Sequence, residues 1–150
     1  MGSIAMRDEY DVIVIGSGPG GEGAAMTAAK GGRRVAVIDQ DAEVGGSCTH
    51  RGTIPSKALR HAIQQLASNE GGAEPDYIDL MRKAEGVIRS QVELRRGFYE
   101  RNHVDVIGGR ATLKDAHCVE VAVVNGAQRR LRAERIIIAT GSRPYRPPDV

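Results

Sequence analysis

The feature that most constrains the fold is a pair of apolar runs separated by a glycine-rich turn and a stretch of small residues. Residues 11–15 are rich in Val and Ile and predict a buried strand, and residues 18–30 are compatible with a helix. Gly31 and Gly32 end that helix, and residues 35–39 predict a second buried strand. A strand, a helix and a strand within about 30 residues form a βαβ unit, which requires a parallel sheet.

The turn between the first strand and the helix reads Gly16-Ser17-Gly18-Pro19-Gly20-Gly21. In this context the first glycine permits a tight turn, the second lets the backbone approach a pyrophosphate, and the third allows the helix to pack closely on the strand. The helix N-terminus then presents unpaired N–H groups and the positive end of its dipole to phosphates. The motif therefore predicts a dinucleotide site.

Asp39 ends the second strand, where a carboxylate can accept hydrogen bonds from both hydroxyls of an adenosine ribose. The same negative charge repels a 2′-phosphate, so an NADP-type ligand is disfavoured at this site. In the structural alternative the glycines only turn the chain and Asp39 only caps a strand end. That alternative is weakened because the strand, the turn, the helix and the acidic residue occur together.

Composition and charge are those of a single globular domain. The 150 residues are 41% hydrophobic and 27% charged, and the net charge is +2. The 21 Lys and Arg residues are spread along the chain. No large basic surface for nucleic acid or an anionic membrane is indicated. No apolar run approaches the length of a membrane helix and the N-terminus lacks a signal-peptide pattern, so we expect a cytoplasmic protein.

Cysteine and histidine positions indicate neither a disulfide framework nor a metal site. Cys48 and Cys118 lie far apart in a chain of this size. The histidines show no metal-ligand spacing with the cysteines, so we expect no metal.

The remainder of the chain mixes helices and strands. We predict a helix over residues 48–68, with Pro55 near its first turn, a break at residues 71–76 and a long helix over residues 77–102. Strands are predicted at residues 104–107, 111–113, 119–124, 128–131 and 135–139, with a hairpin turn at Asn125 and Gly126. The fold class is therefore α/β and Rossmann-like, with a central parallel sheet, helices on its faces and a small antiparallel β-meander.

The long helix separates apolar from charged positions. The apolar residues at helical spacing are Ile78, Met81, Ala84, Val87, Ile88, Val92 and Leu94, and the polar face carries Arg82, Lys83, Arg89, Arg95 and Arg96. We interpret that polar face as solvated and supported by ion pairs one turn apart. A partner-binding surface is the alternative.

Residues 45–59 read Gly-Gly-Ser-Cys-Thr-His-Arg-Gly-Thr-Ile-Pro-Ser-Lys-Ala-Leu. This stretch resembles the region of flavoprotein disulfide reductases that reads Gly-Gly-x-Cys-x-x-x-x-Cys-Ile-Pro-Ser-Lys. Thr53 stands where that family has its second redox cysteine, so a dithiol relay cannot form between these positions. The version found here resembles one branch of the family, the soluble FAD-containing pyridine nucleotide transhydrogenases, as do residues 97–103 and 139–145.

The resemblance implies FAD as the cofactor, NADPH and NAD⁺ as substrates, and a homo-oligomer. Such an enzyme, an NAD(P)⁺ transhydrogenase of the Si-specific type, passes a hydride from NADPH through the flavin to NAD⁺ and needs no thiol relay. Lys57 matches the family lysine near the flavin N5 and is the implied catalytic residue. We interpret Cys48 as an inert packed thiol and His50 as a structural histidine, with a redox role and a proton-handling role as the respective alternatives.

The cofactor-binding residues expected from the fingerprint and the resemblance extend along the whole chain. By the resemblance, backbone near residue 110 meets adenine, and residues 139–142 pass close to the cofactor. The full set is Gly16, Ser17, Gly18, Pro19, Gly20, Gly21, Asp39, Gln40, Gly45, Gly46, Ser47, Cys48, Lys57, Arg110, Ala111, Ala139, Thr140, Gly141 and Ser142.

The resemblance makes residues 1–150 the N-terminal part of an FAD-binding domain, with a leader at residues 1–9 and a linker at residues 142–150. In the family a nicotinamide-binding domain, a return into the FAD domain and a dimerisation domain follow, so we expect the isolated chain to be inactive. We also expect unpaired sheet edges that favour self-association. Two alternatives stay open: a disulfide reductase relative such as dihydrolipoamide dehydrogenase with an altered redox motif, and a stand-alone nucleotide-binding module.

Overall fold

A computed structural model describes residues 8–68, 76–123 and 126–148 of the chain, and these ranges contain four helices and five strands. In chain order the elements are β1 (Glu9–Ile15), α1 (Pro19–Lys30), β2 (Val35–Asp39), α2 (Gly46–His50), α3 (Thr53–Ser68), α4 (Tyr77–Arg101), β3 (Asp105–Asp115), β4 (Cys118–Val123) and β5 (Gln128–Ile138). Within these ranges no helix is long and apolar enough to cross a membrane.

The sheet is mixed and closes on itself. β1 lies between β2 and β5 and is parallel to both. β2 pairs in parallel with the first part of β3, whereas β4 is antiparallel to both β3 and β5. The α/β class predicted from the sequence is confirmed. Each strand has two neighbours. Residues 105–108 of β3, however, pair only with β2, and residues 135–138 of β5 pair only with β1, so among the described strands these two segments each keep an unpaired edge, as expected. Self-association through these edges stays a prediction.

Two strands are longer than the sequence predicts. The strands predicted at residues 104–107 and 111–113 are one strand, β3, which begins at Asp105 and crosses Gly108 and Gly109. A Cβ at Gly109 would lie 2.6 Å from the carbonyl oxygen of Ala122, so this glycine allows close pairing with β4 and does not end the strand. The strands predicted at residues 128–131 and 135–139 likewise fall in one strand, β5, which ends one residue earlier at Ile138. Its first half pairs with β4 and its second half with β1.

The helix predicted over residues 48–68 is two helices. The backbone N–H groups of Arg51 and Gly52 both donate to the carbonyl oxygen of Ser47, which ends α2 and turns the chain. Pro55 is the third residue of α3 and so lies in a first turn, as predicted. Residues 71–75 of the predicted break and Asn125 of the predicted hairpin turn lie outside the described residues.

The core consists of two apolar clusters on opposite sides of the strands. One contains strand residues only, among them Ile13, Ile38 and Val121, and fills the space that the closed sheet encloses. The other joins Val14 and Val37 of the strands to residues of α1 and α4. Burial of these two sets of side chains positions the carboxyl ends of β1 and β2 beside the N-terminus of α1.

The long helix α4 buries part of the apolar face that the sequence predicts. Ala84 and Val92 are buried, but Ile78, Val87 and Leu94 are exposed. Arg95, assigned to the solvated face, is largely buried, and its Nε lies 3.0 Å from Oε2 of Glu22 on α1. The helix therefore docks on α1 through an ion pair that its own periodicity does not reveal. Arg82, by contrast, lies on the solvated face and pairs with Asp79 one turn away.

Neighbouring arginines on α4 give a matched test of this docking. The Arg95–Glu22 pair is 15% and 21% exposed, whereas the Arg96–Glu43 pair is 52% and 48% exposed. We expect Arg95→Ala to lower the free energy of unfolding by about 2 kcal/mol or more, because it leaves a largely buried carboxylate unpaired. Arg96→Ala should cost less than about 1 kcal/mol. Equal losses in urea titrations of the two variants would contradict this assignment.

Tyr10 places a polar group at the end of the enclosed cluster. The side chain is 6% exposed and its hydroxyl donates to Oδ2 of Asp105 at 2.9 Å. Burial, followed by the hydrogen bond to Asp105 and the charge of that carboxylate, raises the pKa of Tyr10 from 10.0 to about 12. The folded chain thus holds this phenol in its neutral form more strongly than the unfolded chain does.

This pKa shift predicts how stability depends on alkaline pH. The contribution is complete below pH 10 and is lost as the pH rises to about 12, because the phenol of the unfolded chain ionises first. Tyr10→Phe should therefore lose less unfolding free energy than the wild type between these two pH values. Tyr77→Phe, at an exposed position, is the control. A decline as steep in Tyr10→Phe as in the wild type would show that Tyr10 does not cause the loss.

Candidate dinucleotide site

The glycine-rich loop connects β1 to α1 and packs against the end of β5. Gly16 has a φ of +106°, and a Cβ there would lie 2.3 Å from the carbonyl oxygen of Ala139. The N–H of Ala139 also donates to the carbonyl oxygen of Ile15 at 2.8 Å. Only glycine suits this turn. The structure thereby brings together two parts of the predicted site, the fingerprint and residues 139–140.

The N-terminus of α1 is left open. Its N-cap is Gly18, and within the described residues no side chain caps the helix. A Cβ at Gly18 would meet only the Cα of Gly46, at 3.9 Å, and one at Gly20 would meet nothing within 4 Å. Backbone N–H groups at an uncapped helix N-terminus, with free space beside them, suit the two phosphates of a dinucleotide. The residues present therefore fit the cofactor that the sequence implies.

Asp39 lies at the carboxyl end of β2, beside this helix N-terminus. Its Oδ2 accepts hydrogen bonds from the backbone N–H of Ser17 at 2.7 Å and from the Ser17 hydroxyl at 2.5 Å. Its Oδ1 accepts from the N–H of Asp41 at 3.0 Å. The side chain is half-buried. A carboxylate has about four acceptor positions, so it retains capacity for a ribose hydroxyl.

A second loop docks on the fingerprint. Gly45 and Gly46 both have positive φ, and a Cβ at Gly46 would lie 2.9 Å from the Cα of Gly18. The N–H of Gly45 donates to the hydroxyl of Ser17 at 3.0 Å. The segment that carries the family resemblance thus begins in direct contact with the phosphate-binding turn.

The side chains that follow this loop differ in their surroundings. Cys48 is half-buried and free, and the Thr49 hydroxyl is buried and donates to the carbonyl oxygen of Gly45 at 3.0 Å. Nε2 of His50 lies 3.0 Å from the carbonyl oxygen of Val44 and donates to it, which supports the structural role expected for this histidine. Lys57 is exposed on α3, and the described residues include no ion pair with it.

The remaining predicted residues lie at the edges of the site. β2 and β3 are paired so that Asp39 faces Gly108, which places Arg110 two residues beyond the end of β2. Arg110 is exposed and Ala111 is half-buried. Gln40, Gly141 and Ser142 are exposed, and residues 141–147 have neither helix nor strand. No hydrogen bond of the described residues joins these groups to the fingerprint.

A cavity of about 410 Å³ lies beside Asp39, between β3 and the C-terminal part of α4. Tyr99, which lines it, is fully buried, and its hydroxyl has no hydrogen-bond partner among the described residues. Burial, with the nearby charges of Glu22 and Asp39, raises the pKa of Tyr99 well above its usual value. No local sequence pattern marks Tyr99 as part of the site, because the packing of α4 on the strands and α1 brings it next to Asp39. Within the described residues no cluster of three potential metal ligands occurs.

Comparisons with known proteins agree with this geometry. A family model described as pyridine nucleotide-disulphide oxidoreductase matches residues 10–150. The chain is 52% identical to the soluble pyridine nucleotide transhydrogenase of Pseudomonas putida strain GB-1, and the match covers 94% of the chain and 32% of that protein. The corresponding Azotobacter vinelandii protein is 51% identical over the same shares. The chain thus spans about a third of the length of the relatives it matches.

A solved structure shows that the chain is also similar to a flavoprotein disulfide reductase. The copper(II) complex of the HOCl-induced flavoprotein disulfide reductase RclA from Escherichia coli superimposes with a TM-score of 0.81 at 30% identity. It covers 95% of this chain, which corresponds to 31% of that protein. The resemblance read from residues 45–59 is confirmed, and the flavoprotein relationship bears out FAD as the cofactor of this fold.

Proposed function

Because the chain belongs to the pyridine nucleotide-disulphide oxidoreductase family, we propose that it is the FAD-binding part of a soluble NAD(P)⁺ transhydrogenase. FAD, when bound, supplies the hydride acceptor and donor that link NADPH to NAD⁺. The protein residues bind and orient the cofactor. The cytoplasmic location, the Si-specific stereochemistry and a homo-oligomeric state stay predictions.

The observation that carries this proposal is the uncapped N-terminus of α1 next to the carboxylate of Asp39. N–H groups of the first turn of α1, beyond Gly18, bind the pyrophosphate, and Asp39 accepts from the adenosine ribose. Arg110 and Ala111 flank the adenine, and residues 139–142 run beside the cofactor. The docked loop at Gly45 and Gly46 leads toward the flavin end.

The positions of the two cysteines favour a transhydrogenase over a disulfide reductase. Thr53 begins α3 and carries no thiol, so Cys48 lacks the partner that the family relay requires. The only other cysteine of the chain, Cys118, is buried in β4. Lys57, exposed on the first turns of α3, is the residue we assign to the reduced flavin, where a cation stabilises negative charge.

One dinucleotide site does not suffice for the whole reaction. The fingerprint Gly-x-Gly-x-x-Gly occurs once in the chain, and the FAD assigned to it leaves no second site of this kind for a nicotinamide cofactor. The chain by itself is therefore a binding unit that does not turn over. A stand-alone nucleotide-binding module, the alternative from the sequence, would likewise bind a nucleotide without turnover.

The test measures binding and turnover separately. With added FAD, the purified chain should reduce a thio-NAD analogue with NADPH no faster than free FAD does, while ADP binding should be detectable by NMR. The complete transhydrogenase of a relative serves as the positive control for the assay. Turnover by the chain above the free-FAD rate would contradict the expected inactivity. If the chain bound neither FAD nor ADP, the cofactor assignment would be wrong.

A further inference from the structure

Ser17, the second residue of the fingerprint, is fully buried and makes three hydrogen bonds to two partner residues. Its hydroxyl donates to Oδ2 of Asp39 at 2.5 Å and accepts from the N–H of Gly45 at 3.0 Å, while its own N–H donates to the same carboxylate oxygen at 2.7 Å. One hydroxyl has one proton and two lone pairs, so both side-chain bonds form together. We propose that Ser17 is a positioning residue that fixes the Asp39 carboxylate and the Gly45 loop relative to each other.

The first consequence concerns the orientation of Asp39. Two donors from Ser17 hold Oδ2, and the N–H of Asp41 holds Oδ1, so the plane of the carboxylate is defined before any ligand binds. A preoriented acceptor loses less freedom when a ligand binds, and this raises affinity. Without the Ser17 hydroxyl, Oδ2 keeps a single donor from the protein and the carboxylate is freer to turn.

The second consequence concerns the loop that precedes α2. Gly45 is buried, and the Ser17 hydroxyl is the acceptor of its N–H, 28 residues away in sequence. The neighbouring contact between Gly46 and Gly18 is backbone against backbone and includes no side chain. Ser17 therefore supplies the polar link between the adenosine half of the site and the segment that begins the flavin half. A change in this one hydroxyl should loosen both.

The first arm of the test needs no ligand and so does not depend on the proposed function. In Ser17→Ala, the amide hydrogen exchange of Gly45 and Asp41 should accelerate by about tenfold or more relative to the wild type, because both groups lose a fixed partner. The amide of Val14 in the core should change little, which separates local loosening from global unfolding. Ser90→Ala, at an exposed position on α4, is the control. Unchanged exchange at Gly45 and Asp41 would overturn the proposal.

A second variant of Ser17 allows the same exchange measurement. If Ser17→Ala does not fold, Ser17→Cys is measured in the same way, since a thiol fills similar space but is a weak donor and acceptor. The same acceleration at Gly45 and Asp41 is expected. Wild-type exchange rates at both amides in the cysteine variant would count against the positioning role.

The second arm rests on the proposed function and uses ADP and 2′,3′-dideoxy-ADP. If Ser17 orients Asp39 toward the ribose hydroxyls, Ser17→Ala should weaken ADP by about tenfold and the dideoxy analogue by much less. An equal loss for both ligands indicates general loosening and overturns the orienting role. If the wild type binds neither ligand, the cofactor assignment fails, while the exchange measurement still decides whether Ser17 links the two segments.

Discussion

Gly21→Ala is expected to destabilise the chain by about 3 kcal/mol or more, which is a large fraction of the total stability of a domain. A Cβ at Gly21 would lie 1.8 Å from the carbonyl oxygen of Gly16 and 3.4 Å from Cγ1 of Val14. Neither backbone nor buried strand can move far enough, because Val14 is fully buried in the core between β1 and α1. The close approach of α1 to β1 therefore depends on this glycine.

Gly23→Ala, two residues further along the same helix, is the matched control. Nothing lies within 4 Å of a Cβ at this exposed position. Alanine should stabilise the helix there by about 0.5–1 kcal/mol, since it loses less backbone entropy on folding than glycine. Urea unfolding followed by circular dichroism measures both variants. Wild-type stability in Gly21→Ala would contradict the packing assigned to the fingerprint.

Asp39→Asn is expected to weaken ADP binding by about tenfold or more, because hydrogen bonds to a charged acceptor contribute about 1.5–3 kcal/mol. The substitution also replaces one acceptor oxygen by a donor, which opposes either Ser17 or the N–H of Asp41. The preference for ADP over 2′-phospho-ADP should shrink at the same time, because the repelling charge is gone.

Isothermal titration with both nucleotides measures this change in affinity and in preference. Asp79→Asn, an exposed aspartate on α4 paired with Arg82, removes the same charge away from the site and should leave both affinities unchanged. An unchanged preference in Asp39→Asn would remove Asp39 from the ribose site.

The βαβ unit could be predicted from the sequence because its signals are local. The apolar runs of β1 and β2 and the glycines that bound α1 are each read within a few residues. β3 and β5 could not be predicted in full, since each is continuous only because its two halves pair with different strands. The break between α2 and α3 follows from two N–H groups that share the carbonyl oxygen of Ser47, and Pro55 alone does not reveal it.

In the candidate site, too, the local features could be predicted from the sequence and the long-range contacts could not. The roles of the glycines at positions 16, 18 and 21 could be predicted, because the motif itself specifies where a tight turn, a close ligand approach and close helix packing occur. The contact of Ser17 with Asp39 and Gly45 spans 22 and 28 residues, and the burial of Arg95 depends on Glu22 on another helix. Long-range pairs of this kind leave no periodic trace, so helical spacing assigned Arg95 to solvent.

The central claim, that the ADP half of FAD is held by the turn between β1 and α1 together with Asp39, is tested most directly by NMR of the ¹⁵N-labelled chain titrated with ADP and with FMN. ADP should shift the amide signals of Gly18, Gly20, Gly21 and Gln40, because its phosphates lie at the uncapped start of α1 and its ribose lies at the end of β2. FMN, which lacks the adenosine, should leave those signals largely in place. Shifts by FMN as large as those by ADP, or no shift by ADP at these four amides, would contradict the account.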